Sequence, residues 1–180
     1  MGQFATLPFL SAVFLLTLGD PGSAQPVRTE RLLGGNENPP VVSDGFGTFR
    51  AEIQADRISF QLNYDVGSGD DDPTQAHLHI ANPGNNGGIV VFLCTDLDNA
   101  PVGATVPACP DSPGELSGEI MAADVLQVAE GAPPEQTIII VAGDLEGLKR
   151  LIEQGAVYAN VHTADHGAGE IRAQLNPRRR

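Results

Sequence analysis

The fold is decided by the stretch Tyr158-Ala-Asn-Val-His162-Thr163, which continues after a short loop as Gly169-Glu-Ile-Arg172-Ala-Gln174-Leu175. Apolar and polar residues alternate in both runs, and side chains on a strand alternate between the two faces of a sheet. Two such runs joined by the glycine-containing loop of residues 165–169 are typical of an antiparallel hairpin. The sequence therefore predicts two paired strands, with the apolar side chains on the face that joins the core.

The other face of this predicted hairpin collects polar side chains. Residues paired across a β-ladder share a face. If His162 lies opposite Glu170, the next pair on this face lies two residues further along each strand. That pair is Asn160 with Arg172. We expect Arg172 to hold the hairpin through an ion pair or through a hydrogen bond to Asn160, and we assign no catalytic residue to this face.

The same alternation recurs along the rest of the chain and predicts further short strands. They span residues 28–33, 47–54, 58–64, 75–80, 89–94, 115–120 and 137–141. Residues 121–136 are ambiguous, with a helical turn as one option. One short helix is predicted, with Asp144 as its N-cap and Gly155 just past its end. Short strands with one helix and no βαβ pattern predict an all-β fold, a Greek-key β-sandwich of the immunoglobulin-like or superoxide-dismutase-like type.

The first 24 residues differ from the rest of the chain. A short apolar run over residues 9–18 is followed by small residues at Gly22 and Ala24, which is typical of a secretory signal peptide, although no Lys or Arg precedes the run. The alternative is a membrane anchor, for which the run is short. We therefore predict a signal peptide over 1–24, one domain over 28–175 and a basic disordered tail over 176–180. The mature chain is then secreted or periplasmic, without a membrane span.

The formal net charge of −13 argues against nucleic acid or an anionic membrane as a partner. An acidic loop over residues 65–73 could collect calcium, but it lacks the spacing and the closing Glu of an EF-hand loop, so a solvated loop is favoured. The two cysteines, Cys94 and Cys109, predict one disulfide in an exported protein. The alternative is a pair of metal thiolates near histidines, which the spacing alone does not provide.

All four histidines lie in two motifs, His77 with His79 and His162 with His166. A His-x-His pair on a strand puts both imidazoles on one face, about 6.5–7 Å apart at Cα. Both rings can then reach one metal ion at about 2.0–2.1 Å. His162 from a neighbouring strand would complete a three-nitrogen site that suits copper, or less well zinc. His166 lies in a glycine-rich loop, and we expect it to be exposed to solvent rather than to bind the ion.

Other groups on the same face are expected to surround these ligands. Asn160, Glu170 or backbone carbonyls would hold the far ring nitrogens of the histidines, with Arg172 beside them. The alternative is that the histidines are structural and bond Glu170, Asp165 or the backbone on a partly solvated face. The residues alone leave both alternatives open.

Five blocks of the sequence resemble the CHRD domain, which was first named in chordin. They are Leu33-Gly-Gly-Asn-Glu-Asn-Pro-Pro40, Ala76-His-Leu-His79, Gly87-Gly-Ile-Val-Val-Phe-Leu93, Tyr158-Ala-Asn-Val-His-Thr163 and Gly169-Glu-Ile-Arg-Ala-Gln174. The resemblance runs from about residue 28 to residue 175. It implies an extracellular β-sandwich module of the kind found in chordin and in bacterial exported proteins, without an established enzymatic activity. The chain departs from the family pattern at Ala159, at Ala173 and in a long cysteine-bearing insertion after Leu93.

A weaker resemblance is to the copper-zinc superoxide dismutases, which hold copper through a His-x-His strand and a later Val-His. Ala76-His-Leu-His79 and Asn160-Val-His162 are similar to those motifs, and Arg172 would stand for the arginine that guides the anion. No counterpart of the bridging histidine or of the zinc loop is evident in the sequence.

Three hypotheses about function follow from these patterns. The first is an exported CHRD-type binding module that takes copper or another transition metal through His77, His79 and His162. The second is a copper-dependent redox enzyme of the superoxide dismutase type. The third is a metal-free structural domain that binds an extracellular protein.

Overall fold

The computed structural model describes residues 24–29, 31–66, 72–131 and 136–177. Most of the predicted signal peptide, most of the acidic loop and the Arg178–Arg180 cluster lie outside the described residues. Within the described part of the chain, no helix has the length and apolar character needed to cross a membrane.

The described residues form eleven strands and one α-helix. The strands are β1 Gln25–Thr29, β2 Leu32–Leu33, β3 Phe46–Ile53, β4 Ile58–Asp65, β5 Pro73–Ile80, β6 Gly88–Thr95, β7 Gly114–Ile120, β8 Val128–Glu130, β9 Thr137–Ile140, β10 Val157–Thr163 and β11 Ile171–Pro177, and the helix is α1 Leu145–Glu153. Each predicted strand is present. The first is broken into β1 and β2, and the bounds of the others differ from the prediction by two residues at most.

Nine of the strands form one antiparallel sheet in the order β6-β5-β10-β11-β1-β3-β4-β7, with β2 beside β11 and β3. Side chains from both ends of this path, including Leu93 of β6 and Ile120 of β7, belong to one buried core. The sheet therefore curls on itself into a nearly closed barrel or sandwich. The chain crosses between the two halves of the sheet after β4 and again after β6, which are connections of the Greek-key kind. The all-β prediction with one helix is confirmed.

The helix α1 begins and ends where its sequence signals place it. The Asp144 carboxylate accepts a hydrogen bond from the Gly147 backbone N–H at 2.7 Å, which satisfies one of the free donors of the first turn. Leu148 and Ile152 are fully buried in the core. Gly155 follows the helix with a φ of 73°, a backbone conformation that favours glycine.

Two connections complete the fold. The ambiguous stretch after β7 contains a short 3-10 turn over Ala122–Asp124 and then β8, which pairs only with β9 in a separate two-stranded sheet of the described residues. The sulfur atoms of Cys94 and Cys109 lie 2.03 Å apart, the distance of the predicted disulfide. This pair joins β6 to the segment that leads into β7.

Candidate metal centre

The central strands β5 and β10 bring the histidines together. β10 lies between β5 and β11, and the register pairs Asn160 with His77 on one side and with Arg172 on the other. The period of two along β5 puts His77 and His79 on the same face of the sheet, toward His162 of β10. The exposed fractions of the three side chains are 0% for His77, 8% for His79 and 6% for His162. The sequence reasoning therefore placed the three histidines together correctly.

On the polar face of the closing hairpin, Asn160, His162, Glu170 and Arg172 are buried, whereas the structural alternative for the histidines assumed a partly solvated face. Asn38 Nδ2 donates to the Gly84 carbonyl at 2.9 Å, and Asn86 Nδ2 donates to the Asn38 carbonyl at 2.7 Å. These bonds join the segment after β2 to the loop between β5 and β6. We call these two segments, residues 34–38 and 82–87, the lid. The polar face is buried because these two loops pack against each other over the sheet.

The three imidazoles are close enough to share one ion. One possible ligand atom from each ring lies within 4.8 Å of the others. His77 Nδ1 and His162 Nε2 are 3.2 Å apart, and the ring of His77 lies 5.5 Å from that of His79 between centroids. Three ring nitrogens this close together could hold one metal ion.

Backbone carbonyls set the proton positions on two of these rings. His79 Nδ1 lies 2.9 Å from the Gly87 carbonyl, and His162 Nδ1 lies 3.1 Å from the Gly167 carbonyl. A carbonyl oxygen only accepts, so both Nδ1 atoms carry the hydrogen and both Nε2 atoms carry a lone pair that can accept. A metal-binding histidine is commonly held in this way through its far nitrogen. The carbonyls, and not Asn160 or Glu170, therefore hold the far ring nitrogens.

Two lone pairs in the cluster point at no donor. With Nδ1 of His79 and of His162 protonated, His77 Nδ1 donates to His162 Nε2, which leaves His77 Nε2 as an acceptor. His77 Nε2 and His79 Nε2 are buried without a hydrogen-bond partner among the described residues. A buried acceptor without a donor is destabilising by about 1–3 kcal/mol. A cation placed among the rings would satisfy these atoms.

The three rings are held in their neutral form. Burial, together with the neighbouring His162 and His79, lowers the pKa of His77 to about 3. Burial also lowers the pKa of His79 to about 4, against the hydrogen bond to Gly87, and it lowers the pKa of His162. Neutral imidazole is the form that binds metal ions. The three imidazoles are therefore uncharged over the whole neutral pH range.

Arg172 has different partners from those expected. Its Nη1 donates to Asn86 Oδ1 at 3.0 Å and its Nη2 donates to the Asn85 carbonyl, while the guanidinium carbon lies 3.4 Å from the centre of the Tyr158 ring. The expected bond to Asn160 and the expected ion pair are wrong, since within the described residues Arg172 forms neither. The lid offers oxygens and the tyrosine offers a ring face within reach of the guanidinium. Arg172 therefore holds the lid in place, including the segment whose Gly87 carbonyl orients His79.

Glu170 and Asn160 line the cluster without holding its rings. Glu170 Oε1 accepts a hydrogen bond from Ser43 Oγ, and Glu170 Oε2 is buried with no partner in the described structure. Asn160 lies beside the side chains of His79 and Glu37, and its Oδ1 is likewise without a partner there.

Three residues of the site were missed by the sequence reasoning. The Tyr158 ring stacks on that of His79, with centroids 4.7 Å apart and an interplanar angle of 3°, and Phe92 packs edge-on against His77 at 4.4 Å. The alternation of β10 would have found Tyr158, which shares a face with His162. Glu37 is 8% exposed, and burial raises its pKa to about 7 against the positive charge of Arg172. Glu37 lies in a loop, where no periodicity predicts burial.

The remaining candidates lie outside the cluster. His166 is half-buried in the loop after β10, and its backbone N–H donates to Thr163 Oγ1 at 3.3 Å. It does not belong to the group of possible metal ligands found among the described residues. Cys94 and Cys109 are bonded to each other, so neither supplies a thiolate.

The family model for the CHRD domain matches residues 29–175 of this chain. The chain belongs to the CHRD-domain family. No curated protein and no solved structure matched it. The match spans His77, His79 and His162 together with the lid segments and Arg172, so the family assignment covers the whole site.

Proposed function

We propose that this CHRD domain is an exported binding module that holds one transition-metal ion through His77, His79 and His162, copper in preference to zinc. The observation that carries the proposal is the pair of buried, unpartnered Nε2 lone pairs on His77 and His79. Three neutral imidazole nitrogens form a donor set that suits copper or zinc, and the usual order of affinities places Cu²⁺ above Zn²⁺.

The residues present fit such an ion. The Gly87 and Gly167 carbonyls orient two of the ligand rings, and the aromatic rings of Tyr158 and Phe92 pack against the cluster. A bound ion would place a positive charge beside the buried acceptor atoms of His77 and His79, which have no hydrogen-bond partner among the described residues. The described residues thus provide ligands, orientation and a dry surrounding.

The first prediction tests the ligands by substitution. We expect His77→Ala, His79→Ala and His162→Ala each to weaken Cu²⁺ binding by at least a hundredfold, roughly the effect of losing one of three ligands. His166→Ala is the matched control and should change the affinity by less than about threefold. Calorimetric titration of each variant with Cu²⁺ and with Zn²⁺ gives the affinities.

Tyrosine fluorescence can also report the binding of copper. The sequence contains two tyrosines and no tryptophan. Because Tyr158 stacks on His79, bound Cu²⁺ should quench its emission, while Zn²⁺ should not. Tyr158→Phe should abolish the quenching. If the parent protein binds neither ion better than micromolar, or if the triple alanine variant binds as well as the parent, the histidines are structural and the metal-free hypothesis is correct.

The redox-enzyme hypothesis receives less support from the same residues. It required Arg172 to guide an anion toward the metal, but this side chain is 2% exposed, donates to Asn85 and Asn86 and stacks on Tyr158. We therefore propose binding rather than dismutation. An assay of superoxide consumption by the copper-loaded protein, compared with free Cu²⁺ at the same concentration, would reverse this choice if it found turnover.

A further inference from the structure

Glu37 is a buried carboxyl in the lid for which the proposed site has as yet no role. The 3-10 turn Gly34–Asn36 precedes it, and the Glu37 backbone N–H donates to the Gly34 carbonyl at 3.0 Å. Asn36 Nδ2 donates to the Arg172 carbonyl at 3.0 Å, and Asn38 bonds the other lid segment. The residues on both sides of Glu37 are thus tied to the site, and they hold its side chain inward.

The carboxyl of Glu37 meets Asn160 at a position that only a glycine leaves open. A Cβ at position 169 would lie 2.6 Å from Glu37 Oε1 and 2.9 Å from Asn160 Nδ2. Asn160 in turn lies beside His79. The Glu37 carboxyl is buried, and the Asn160 side chain and the Asn38 backbone lie beside it. The carboxyl is therefore separated from a ligand ring by one side chain.

A positive charge already stands beside the histidines. The Arg172 guanidinium lies 3.4 Å from the centre of the Tyr158 ring, and that ring stacks on His79 with 4.7 Å between centroids, so positive charge near His79 is opposed by Arg172. The guanidinium bonds neutral oxygens of Asn85 and Asn86, which leave its charge in place. The same repulsion would act on a metal cation bound by His79. Glu37 faces Arg172 with the opposite sign.

We propose that Glu37 balances the charge of the histidine site and makes it prefer a divalent over a monovalent metal ion, without binding the ion itself. This inference rests on the proposed function. Coulomb energy is proportional to the charge of the ion, so a carboxylate at a given distance stabilises Cu²⁺ twice as strongly as Cu⁺. Without the carboxylate, no negative charge balances Arg172. The affinity for Cu²⁺ then falls more than the affinity for Cu⁺.

The test compares the two oxidation states of copper on one site. At pH 8, above the pKa of about 7 that burial gives Glu37, Glu37→Gln keeps the size and a hydrogen-bond acceptor but removes the charge. We expect it to weaken Cu⁺ binding roughly tenfold and Cu²⁺ binding roughly a hundredfold. The reduction potential of the bound copper should then rise by about 59 mV, which is a tenfold change in the ratio for one electron. Cu⁺ affinity is measured without oxygen by competition with a coloured chelator, and Zn²⁺ should follow Cu²⁺.

Three further variants separate charge from structure. Glu52→Gln, which removes an exposed carboxylate of β3, is the matched control. It should leave the ratio of Cu²⁺ affinity to Cu⁺ affinity unchanged. Glu37→Asp keeps the charge and should keep the ratio within about threefold. Arg172→Gln removes the opposing charge and should shift the ratio the other way, toward Cu²⁺, even if it loosens the lid.

The results that would contradict the role of Glu37 differ from those that would contradict the metal site. If the parent protein binds no copper, the proposed function fails and this inference fails with it. If the parent binds and Glu37→Gln changes both affinities by the same factor, or changes neither, the site stands and the role of Glu37 is overturned. If Glu37→Gln does not fold, Glu37→Met serves as the uncharged variant of similar size, and a Cu²⁺ affinity that falls no more than the Cu⁺ affinity overturns the inference.

Discussion

At the residue scale, the buried titratable side chains of the site respond to pH in opposite directions. His77 and His79 have pKa values of about 3 and about 4 because they are buried, so their neutral rings favour the folded chain above about pH 6.5. That contribution is lost as the pH falls toward 4, where the unfolded chain has already taken up protons. The pKa of Glu37 is raised from 4.5 to about 7, so its contribution is complete below pH 4.5 and is lost as the pH rises through 7.

The second prediction follows from this balance. As the pH falls from 6.5 to 5, each histidine that stays neutral in the folded chain lowers the free energy of unfolding by about 2 kcal/mol. Over the same interval Glu37 raises it by about 2 kcal/mol. With His77 and His79 together, the metal-free protein should lose roughly 2 kcal/mol or more over this interval. Guanidinium denaturation in the presence of a chelator measures it. Glu37→Gln should make the loss steeper, and a protein that gains stability toward pH 5 would contradict the prediction.

At the scale of secondary-structure elements, the site depends on how the loops lie on the sheet. The strand register alone puts three histidines on one face. The lid then buries that face, and Arg172 of β11 holds the lid through Asn85 and Asn86. The loop after β10 completes the arrangement, because it brings the Gly167 carbonyl to His162 and leaves room at Gly169 for Glu37.

The third prediction concerns this last loop. Gly169 has a φ of 124°, which L side chains rarely adopt, and an added methyl group would meet Glu37 and Asn160. We expect Gly169→Ala to lower the free energy of unfolding by about 2 kcal/mol or more and to weaken metal binding. Gly167→Ala is the control two residues away, since a Cβ there meets nothing within 4 Å. Thermal denaturation of both variants decides the matter, and equal effects would show that the close approach at Gly169 is unimportant.

At the scale of the whole molecule, the disulfide links the two ends of the curled sheet. Cys94 lies in β6, and Cys109 precedes β7 by a few residues, with 15 residues of sequence separation between the cysteines. Such a loop is expected to stabilise the folded chain by about 3 kcal/mol in the chain-entropy model. The β6 and β7 strands are the two ends of the main sheet path, so this link closes a barrel that backbone hydrogen bonds leave open there.

The fourth prediction is that these cysteines are oxidised in the native protein. Thiol titration of the denatured, unreduced protein should find no free thiol. A Cys94→Ser, Cys109→Ser double variant should unfold at a denaturant concentration that corresponds to a loss of about 3 kcal/mol, with its metal affinity unchanged. Two reactive thiols in the parent would remove the disulfide and with it this support for an oxidising compartment.

Much of the fold was accessible from local sequence patterns. The alternation in β3, β4 and β10 fixed strand identity and the core face, because neighbouring side chains on a strand must point to opposite sides. Asp144 and Gly155 marked the ends of the helix because free N–H groups and a left-handed residue are needed there. The period of two likewise placed His77 and His79 on one face, and the alternation of β10 placed His162 on the face away from the core.

The sequence by itself determined which side chains share a face, and the tertiary structure decided which of those faces are buried and which groups meet there. Arg172 bonds Asn86, 86 residues away in the chain, and Glu37 reaches the site through a loop with no periodic pattern. Strand alternation is a local property of the backbone and can be read over a few residues. Burial of the polar face depends on the packing of distant loops across the sheet, which no local pattern encodes. That packing places the His-x-His strand in a buried cluster of neutral imidazoles.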